Sequence, residues 1–270
     1  MAKRKIMNQD ELNNLINDYS SGESLRSLAI EYNCTRSVLS RILKENNIVI
    51  RDNTKNSRKY YHDEDFFEKI NTEEKAYWLG FIFADGFIES KRNHGAQKLG
   101  ITLSKIDINH LEKFKADIKA TNPIKEYKGS GYNANGTFSK ILLTSQKTVD
   151  DLKKHGCTEH KTLKLTFPTI KDELKHHFIR GYMDGDGSIS LIQNKSYIIQ
   201  FTGTKDFLTS IMKYFNKNLA MYTKENITYE LKFGGNLQVK KILNILYKDA
   251  TVYLDRKYNK YLEVLKYTER

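Results

Sequence analysis

Only two cysteines, Cys34 and Cys157, occur in the 270 residues, and they lie in different parts of the chain, so no disulfide framework is expected and reducing surroundings fit. Long apolar runs are absent as well. The stretch around Tyr77 to Ala84 falls far short of the roughly 20 residues that a membrane helix requires. The opening MAKRKIMNQDELNN turns polar directly after its basic residues, without the apolar core of a secretion signal. Together these lacks predict a soluble, intracellular protein with no membrane partner. Acids are the scarcer charge: 33 Asp and Glu against 45 Lys and Arg leave a net +12 and a pI near 9.4. That excess points to a polyanionic partner, nucleic acid first, although charge alone also fits a surface that is merely soluble. A hydrophobic content of 39% is ordinary for a globular chain and suffices for one large core or two smaller ones with a small accessory domain.

Residues 8–50 read as a compact helical unit. Leu12, Leu15, Ile16 and Tyr19 recur at helical spacing before Gly22, and Ser24 is placed to cap a second helix that carries Leu28, Ala29 and Tyr32 on one face. A third helix buries Val38, Leu39, Ile42 and Leu43, and Asn33 supplies the left-handed residue that a tight helix-to-helix turn needs. The pattern resembles a recombinase-type helix-turn-helix, whose third helix would present Arg36, Ser37, Ser40, Arg41 and Lys44 to phosphates or base edges. A plain three-helix bundle with a solvated polar face fits the same spacing. Residues 51–63 lose apolar periodicity and gather Arg51, Lys55, Arg58 and Lys59, as in a basic tether lying along DNA or a solvated linker.

From Glu64 onward the chain looks duplicated. EEKAYWLGFIFADGFIES is matched by ELKHHFIRGYMDGDGSISL, and each is followed by two strand-like segments, a helix opened by Asp107 or Asp206, a second hairpin and a closing helix. Gly80 and Gly181 are 101 residues apart, as are Asp85 and Asp186, and this equal spacing argues for an internal repeat with a pseudo-two-fold axis. The stretch LTFPTIKDE, residues 165–173, holds one of only two prolines and forms the natural joint.

WLGFIFADG (78–86) and IRGYMDGDG (179–187) resemble the paired motifs of the LAGLIDADG homing endonucleases, and the resemblance extends over about residues 64–265. It implies an α+β fold in which two pseudo-symmetric αββαββα repeats, residues 64–164 and 165–270, form a DNA-binding β-saddle behind the small all-α helix-turn-helix domain of residues 1–50. It further implies a monomeric, site-specific nuclease that hydrolyses one phosphodiester in each strand of a long, pseudo-symmetric double-stranded target. The host would be bacterial, phage or organellar, and the coding element free-standing or intron-borne, since intein splicing motifs are not apparent. The metal-binding acids of the family carry over onto Asp85 and Asp186, with magnesium as the cofactor and manganese as a plausible substitute. Lysines near each half-site correspond to Lys161 and Lys257.

Physical chemistry supports the carry-over. Gly80 with Ala84, and Gly181 with Gly185, put small residues four apart on one helix face, which permits unusually close backbone packing. Gly86 and Gly187 would then cap the helices, and Asp85 and Asp186 would meet at two negative helix ends. Without a cation that arrangement is repulsive; a hard divalent ion held by both carboxylates and the carbonyls of Ala84 and Gly185 resolves it. Phe83 replaces the first acid of the family pattern and is expected in the core, whereas Asp184 retains it and is expected to cap or bond locally. HGCTEH matches no usual zinc spacing and reads as a polar loop. The strands would read bases and phosphates through Lys91, Arg92, Lys98, Lys125, Lys128 and Lys140 in the first half, and Gln193, Lys195, Gln200, Lys224 and Lys232 in the second. Two other activities suit the scaffold: a transcription regulator that binds without cleaving, and a maturase that acts on intron RNA.

Overall fold

The computed structural model describes residues 7–50, 59–90, 95–131, 134–193, 195–224 and 228–268, and the chain separates into two compact units, residues 1–59 and 60–270. The first unit contains α1 (Gln9–Ser21), α2 (Leu25–Glu31) and α3 (Arg36–Glu45). Each begins on a side-chain cap that satisfies a free amide of the first turn. Asn8 forms a capping box with Glu11, Ser24 accepts from the Ser27 amide at 3.0 Å, and Thr35 accepts from Val38. Gly22 ends α1 at φ +119°, and Asn33, at φ +44°, turns the chain between α2 and α3. Leu15, Tyr19, Leu25, Leu28, Leu39, Ile42 and Leu43 make a small separate core.

In the second unit, two successive rounds of α-β-β-α-β-β-α are followed by one further helix. The first round comprises α4 (Glu73–Asp85), β1 (Gly86–Glu89), β2 (Lys98–Ser104), α5 (Ile108–Asp117), β3 (Lys125–Lys128), β4 (Thr137–Thr144) and α6 (Gln146–Lys154). The second comprises α7 (Lys175–Asp186), β5 (Ser188–Ile192), β6 (Ser196–Gly203), α8 (Lys205–Tyr214), β7 (Met221–Lys224), β8 (Thr228–Gly234) and α9 (Asn236–Tyr247); α10 (Asp255–Thr268) then closes the chain. The strands form two antiparallel four-stranded sheets of identical order, β1-β2-β4-β3 and β5-β6-β8-β7. This is the α+β duplication that the 101-residue spacing predicts.

At the centre lie α4 and α7. Thr72 caps α4, and every residue from Ala76 to Phe83 is buried, as expected of a helix apolar on all sides and enclosed by protein. The sheets alternate inward and outward in the ordinary two-residue period. Leu99, Ile101, Leu103, Ile141 and Leu143 face the core in one, and Ile189, Tyr197, Ile199, Phe201, Leu231 and Phe233 do so in the other.

Gly86 and Gly187 cap the two helices as expected, with extended rather than left-handed backbone, at φ −75° and −85°, and each donates its amide to the carbonyl four residues back. Glycine fits there because a Cβ on Gly86 would stand 2.7 Å from the Ile82 carbonyl oxygen, and one on Gly187 2.6 Å from that of Met183. Two local expectations are corrected. Neither helix after a first hairpin is capped by an aspartate side chain, although Asp107 stands at the N-cap of α5. Asp107 makes no side-chain cap and pairs instead with Arg256 at 3.0 Å, while the cap of α8 is Thr204, two residues before Asp206. Finally, Asp184 does not bond locally, as described below.

Candidate functional site

The helix pair is close enough that backbone meets backbone. A Cβ on Gly80 would lie 2.0 Å from the Phe178 carbonyl oxygen, and one on Gly181 would lie 2.0 Å from that of Tyr77, so the contact is reciprocal. One turn further, Gly185 sits over Ala84 and Asp85, where a Cβ would be 2.3 Å from the Ala84 methyl and 3.3 Å from an Asp85 carboxylate oxygen. The spacing of small residues thus delivers Asp85, half-buried, and Asp186, open to solvent, to adjoining helix ends. Desolvation by the walls of the site pushes the Asp85 carboxyl up to about 6, with the charge of Asp186 adding to the effect and Lys161, Arg256 and Lys257 opposing it. Desolvation also raises Asp186, against the pull of Lys161 and Lys257.

Both candidate lysines are buried and arrive at these helix ends from different elements. Lys161, in a short 3-10 turn after α6, donates to the carbonyls of Ala84 at 3.2 Å and Gly86 at 2.5 Å. Lys257, in the first turn of α10, donates to the carbonyls of Met183 at 3.3 Å and of Gly187. Each ammonium therefore lies against main-chain carbonyls at the negative end of a helix. Burial lowers Lys257 to about 8, with the Asp184 charge opposing that fall. The Ala84 carbonyl, expected to face a cation, has a partner in Lys161, so a cation there would share the oxygen.

Donor chemistry at the helix ends is hard and anionic: two carboxylates, main-chain oxygens and access to water. Such a set suits a magnesium-type ion that keeps part of its hydration. Among the described residues, no three His, Cys, Asp or Glu side chains converge, so any cation here depends on the two aspartates with main-chain, water or substrate oxygens. HGCTEH holds no such cluster: His155 meets the Phe67 carbonyl at 2.8 Å and Cys157 is buried.

The first acid position separates the two halves. Phe83 is buried in the core against Phe178 and Phe207, as expected. Asp184, fully buried, accepts from the Tyr77 hydroxyl at 2.6 Å, the Tyr247 hydroxyl at 2.5 Å and the Leu254 amide at 2.7 Å. None of these partners is local, because the close helix pairing and the return of α9 and α10 bring remote segments over it.

Of the expected nucleic-acid contacts, Arg36, Ser37, Arg41 and Lys44 lie exposed on α3, with Ser40 half-buried and Arg41 near Glu45 at 3.8 Å. Arg51, Lys91 and Arg92 fall outside the described residues, as do Lys55 and Arg58. Lys98, Lys125 and Lys140 share the face of the first sheet turned away from its core. Lys125 and Lys140 stand directly opposite one another, a like-charge pairing that costs stability without a counter-anion. Lys128 departs from the expectation: it alternates to the core-side face, opposite Thr137 at the sheet end. In the second sheet Gln200 and Lys232 are register partners on the open face, Lys224 occupies a position of the same parity, and Gln193 and Lys195 lie at the exposed hairpin tip. Two carboxylates missed in the sequence temper these cations. Glu89 lies 3.5 Å from Lys98 and 3.9 Å from Lys140, and Glu230 meets Lys232 at 2.8 Å and Gln200 at 2.9 Å. Arg256 was also missed, because nothing in sequence distinguishes it from other surface arginines.

No family model and no curated protein matches the chain. Solved structures do. I-SmaMI bound to an uncleaved DNA target in the presence of calcium ions is 16% identical at a TM-score of 0.50, over 73% of this chain and 90% of that one. A lysine-to-alanine mutant of I-SmaMI is 15% identical at the same TM-score and coverage. The LAGLIDADG meganuclease I-AabMI bound to uncleaved DNA, 12% identical, covers 72% of this chain and 90% of that one at a TM-score of 0.47. Among the described residues no helix is long and apolar enough to cross a membrane. The duplicated α+β architecture around a glycine-packed central helix pair is accordingly the fold of the homing endonuclease I-SmaMI.

Proposed function

We propose that this protein is a site-specific, divalent-metal-dependent endonuclease that cuts both strands of a long, pseudo-symmetric DNA target, acting as a monomer. The observation that carries the reading is the meeting of Asp85 and Asp186 at two packed helix ends, with a buried lysine donating to each end. When bound there, magnesium or manganese supplies Lewis-acid polarisation of a scissile phosphate and of an attacking water. Asp85 and Asp186 provide the anionic oxygen ligands, and their mutual repulsion favours occupancy by a cation. Lys161 and Lys257 place positive charge beside the two helix ends, where it offsets the charge that builds on each phosphate. Lysines and polar side chains on the open sheet faces contact the duplex on either side, and Arg36, Ser37, Ser40, Arg41 and Lys44 extend the footprint through the N-terminal helices. A bound, uncleaved DNA target in the presence of calcium is described for I-SmaMI, and the same behaviour is expected of this chain.

The test is a plasmid library of candidate target sites incubated with magnesium and the parent protein, Asp85→Asn or Asp186→Asn. Defined double-strand cuts by the parent and their loss in both variants support the nuclease. Sequence-specific binding by the parent with no cutting under any divalent ion would overturn it and favour a regulator.

A further inference from the structure

The two halves hold their lysines by different means. In the first half the segment that carries Lys161 is fixed by main-chain and side-chain bonds and by a partly exposed ion pair: the Cys157 amide donates to the Leu152 carbonyl, the Thr204 hydroxyl to the Leu165 carbonyl, and Glu159 accepts from Gln97 and, at 2.9 Å, from Lys153. In the second half the segment that leads to Lys257 is fixed by buried charge. Asp184 accepts the Leu254 amide, Arg180 donates to the Val252 and Leu246 carbonyls, and Glu73 accepts from both Arg180 and the Thr251 amide. At the 101-residue offset, the counterparts of Asp184, Arg180 and Glu73 are Phe83, Leu79 and Leu174, all apolar. Leu254 is the pivot, because its carbonyl accepts from the Lys257 amide at 2.9 Å and so starts the turn that aims Lys257 at the helix end.

We propose that Asp184 is a positioning residue for Lys257 alone, so that cleavage of one DNA strand depends on it and cleavage of the other does not. The proposal rests on the nuclease reading above. Loss of the carboxylate frees the Leu254 amide, and a misplacement of about 1 Å at the ammonium costs on the order of a hundredfold in the step it serves. Asparagine discriminates a specific bond from general damage. Its carbonyl oxygen can keep the Leu254 and Tyr77 donors while its amide group donates to Tyr247, so Asp184→Asn preserves the anchor that Asp184→Ala removes.

The experiment follows each strand separately on an end-labelled target, with Lys257→Ala and Lys161→Ala identifying the strand that each lysine serves. Asp184→Ala is expected to slow the Lys257 strand on the order of a hundredfold relative to the other and to accumulate nicked DNA, whereas Asp184→Asn cuts both strands nearly as the parent does. Equal slowing of both strands, a bias toward the Lys161 strand, or the same bias in Asp184→Asn would overturn the proposal. If Asp184→Ala fails to fold, Tyr247→Phe carries the test, with roughly fivefold bias in the same strand expected from one lost hydrogen bond, and no bias counting against the idea. A second readout needs no cleavage. Lysine acylation mapped by mass spectrometry on the DNA-free protein should rise at Lys257 more in Asp184→Ala than in Asp184→Asn, which loses the same charge, and stay constant at Lys161 in both. A parent that cuts no DNA would end the nuclease reading, and the acylation pattern would still decide the positioning.

Discussion

Gly80 and Phe178 stand so close that a Cβ on the glycine would lie 2.0 Å from the Phe178 carbonyl oxygen, a separation that no pair of atoms tolerates without movement of a helix. Gly80→Ala is therefore expected to destabilise the second unit by about 3 kcal/mol, and Gly181→Ala, which meets the Tyr77 carbonyl in the same way, by a similar amount. In a unit of this size that is a fall of roughly 6–12 °C in Tm by scanning calorimetry. Unchanged melting in both variants would mean that the helices are not packed at this distance.

The raised Asp85 carboxyl has a definite consequence with pH. A carboxyl held up to about 6 binds its proton more tightly in the folded state. Its favourable contribution is thus fully present below the ordinary carboxylate value of about 4 and lost as pH rises through 6. Without metal, Asp85→Asn is expected to match the parent near pH 4 and to exceed it by about 1–2 kcal/mol at pH 7, after allowance for solvent around a half-buried group. Magnesium should cancel that advantage, and its affinity for the parent should increase with pH through about 6 and then level off. Thermal melts of both proteins with and without magnesium across this range provide the check.

Arg180 is 1% exposed and donates to Glu73 at 2.7 Å, in addition to two main-chain carbonyls. Removing one partner of such a pair leaves a buried charge without compensation. Glu73→Gln is expected to cost about 3 kcal/mol, and Arg180→Met added to it should cost far less than a second such loss. Urea denaturation of the two single variants and the double variant measures this coupling, and simple additivity would show the pair to be independent.

Glu89 neutralises Lys98 and Lys140 on the open face of the first sheet. Glu89→Gln should therefore strengthen binding to non-specific duplex by roughly fivefold at moderate salt and steepen the salt dependence, since more cations become free to displace counterions. Fluorescence anisotropy over a range of salt concentrations tests this. Weaker non-specific binding in the variant would show that the face does not meet phosphates.

Much of the fold was legible in the chain. The repeat spacing, the capped helices of the first unit and the inward Ile, Leu and Phe of the central strands are local or periodic signals, and they survive in the structure because packing agrees with them. Gly22, Ser24 and Asn33 behave as their chemistry dictates. Errors arose where a local rule met a remote partner. Asp107, at the N-cap of α5, gives its side chain to Arg256 instead of to the first turn, and Lys128 takes the core-side face of a short edge strand.

The sequence by itself determined that two similar units pair through small residues and end in carboxylates, because glycine spacing and an Asp-Gly boundary are properties of each helix alone. Only the tertiary structure decided what surrounds those ends. The resemblance singled out Lys161 and Lys257, but only the structure shows separate segments burying them against the helix-end carbonyls. Asp184 is expected from the sequence to bond locally, yet Tyr77, Tyr247 and Leu254 close over it from remote segments. Burial and hydrogen-bond partners are fixed by residues distant in the chain, so a carboxylate's role is settled by whichever segments pack upon it.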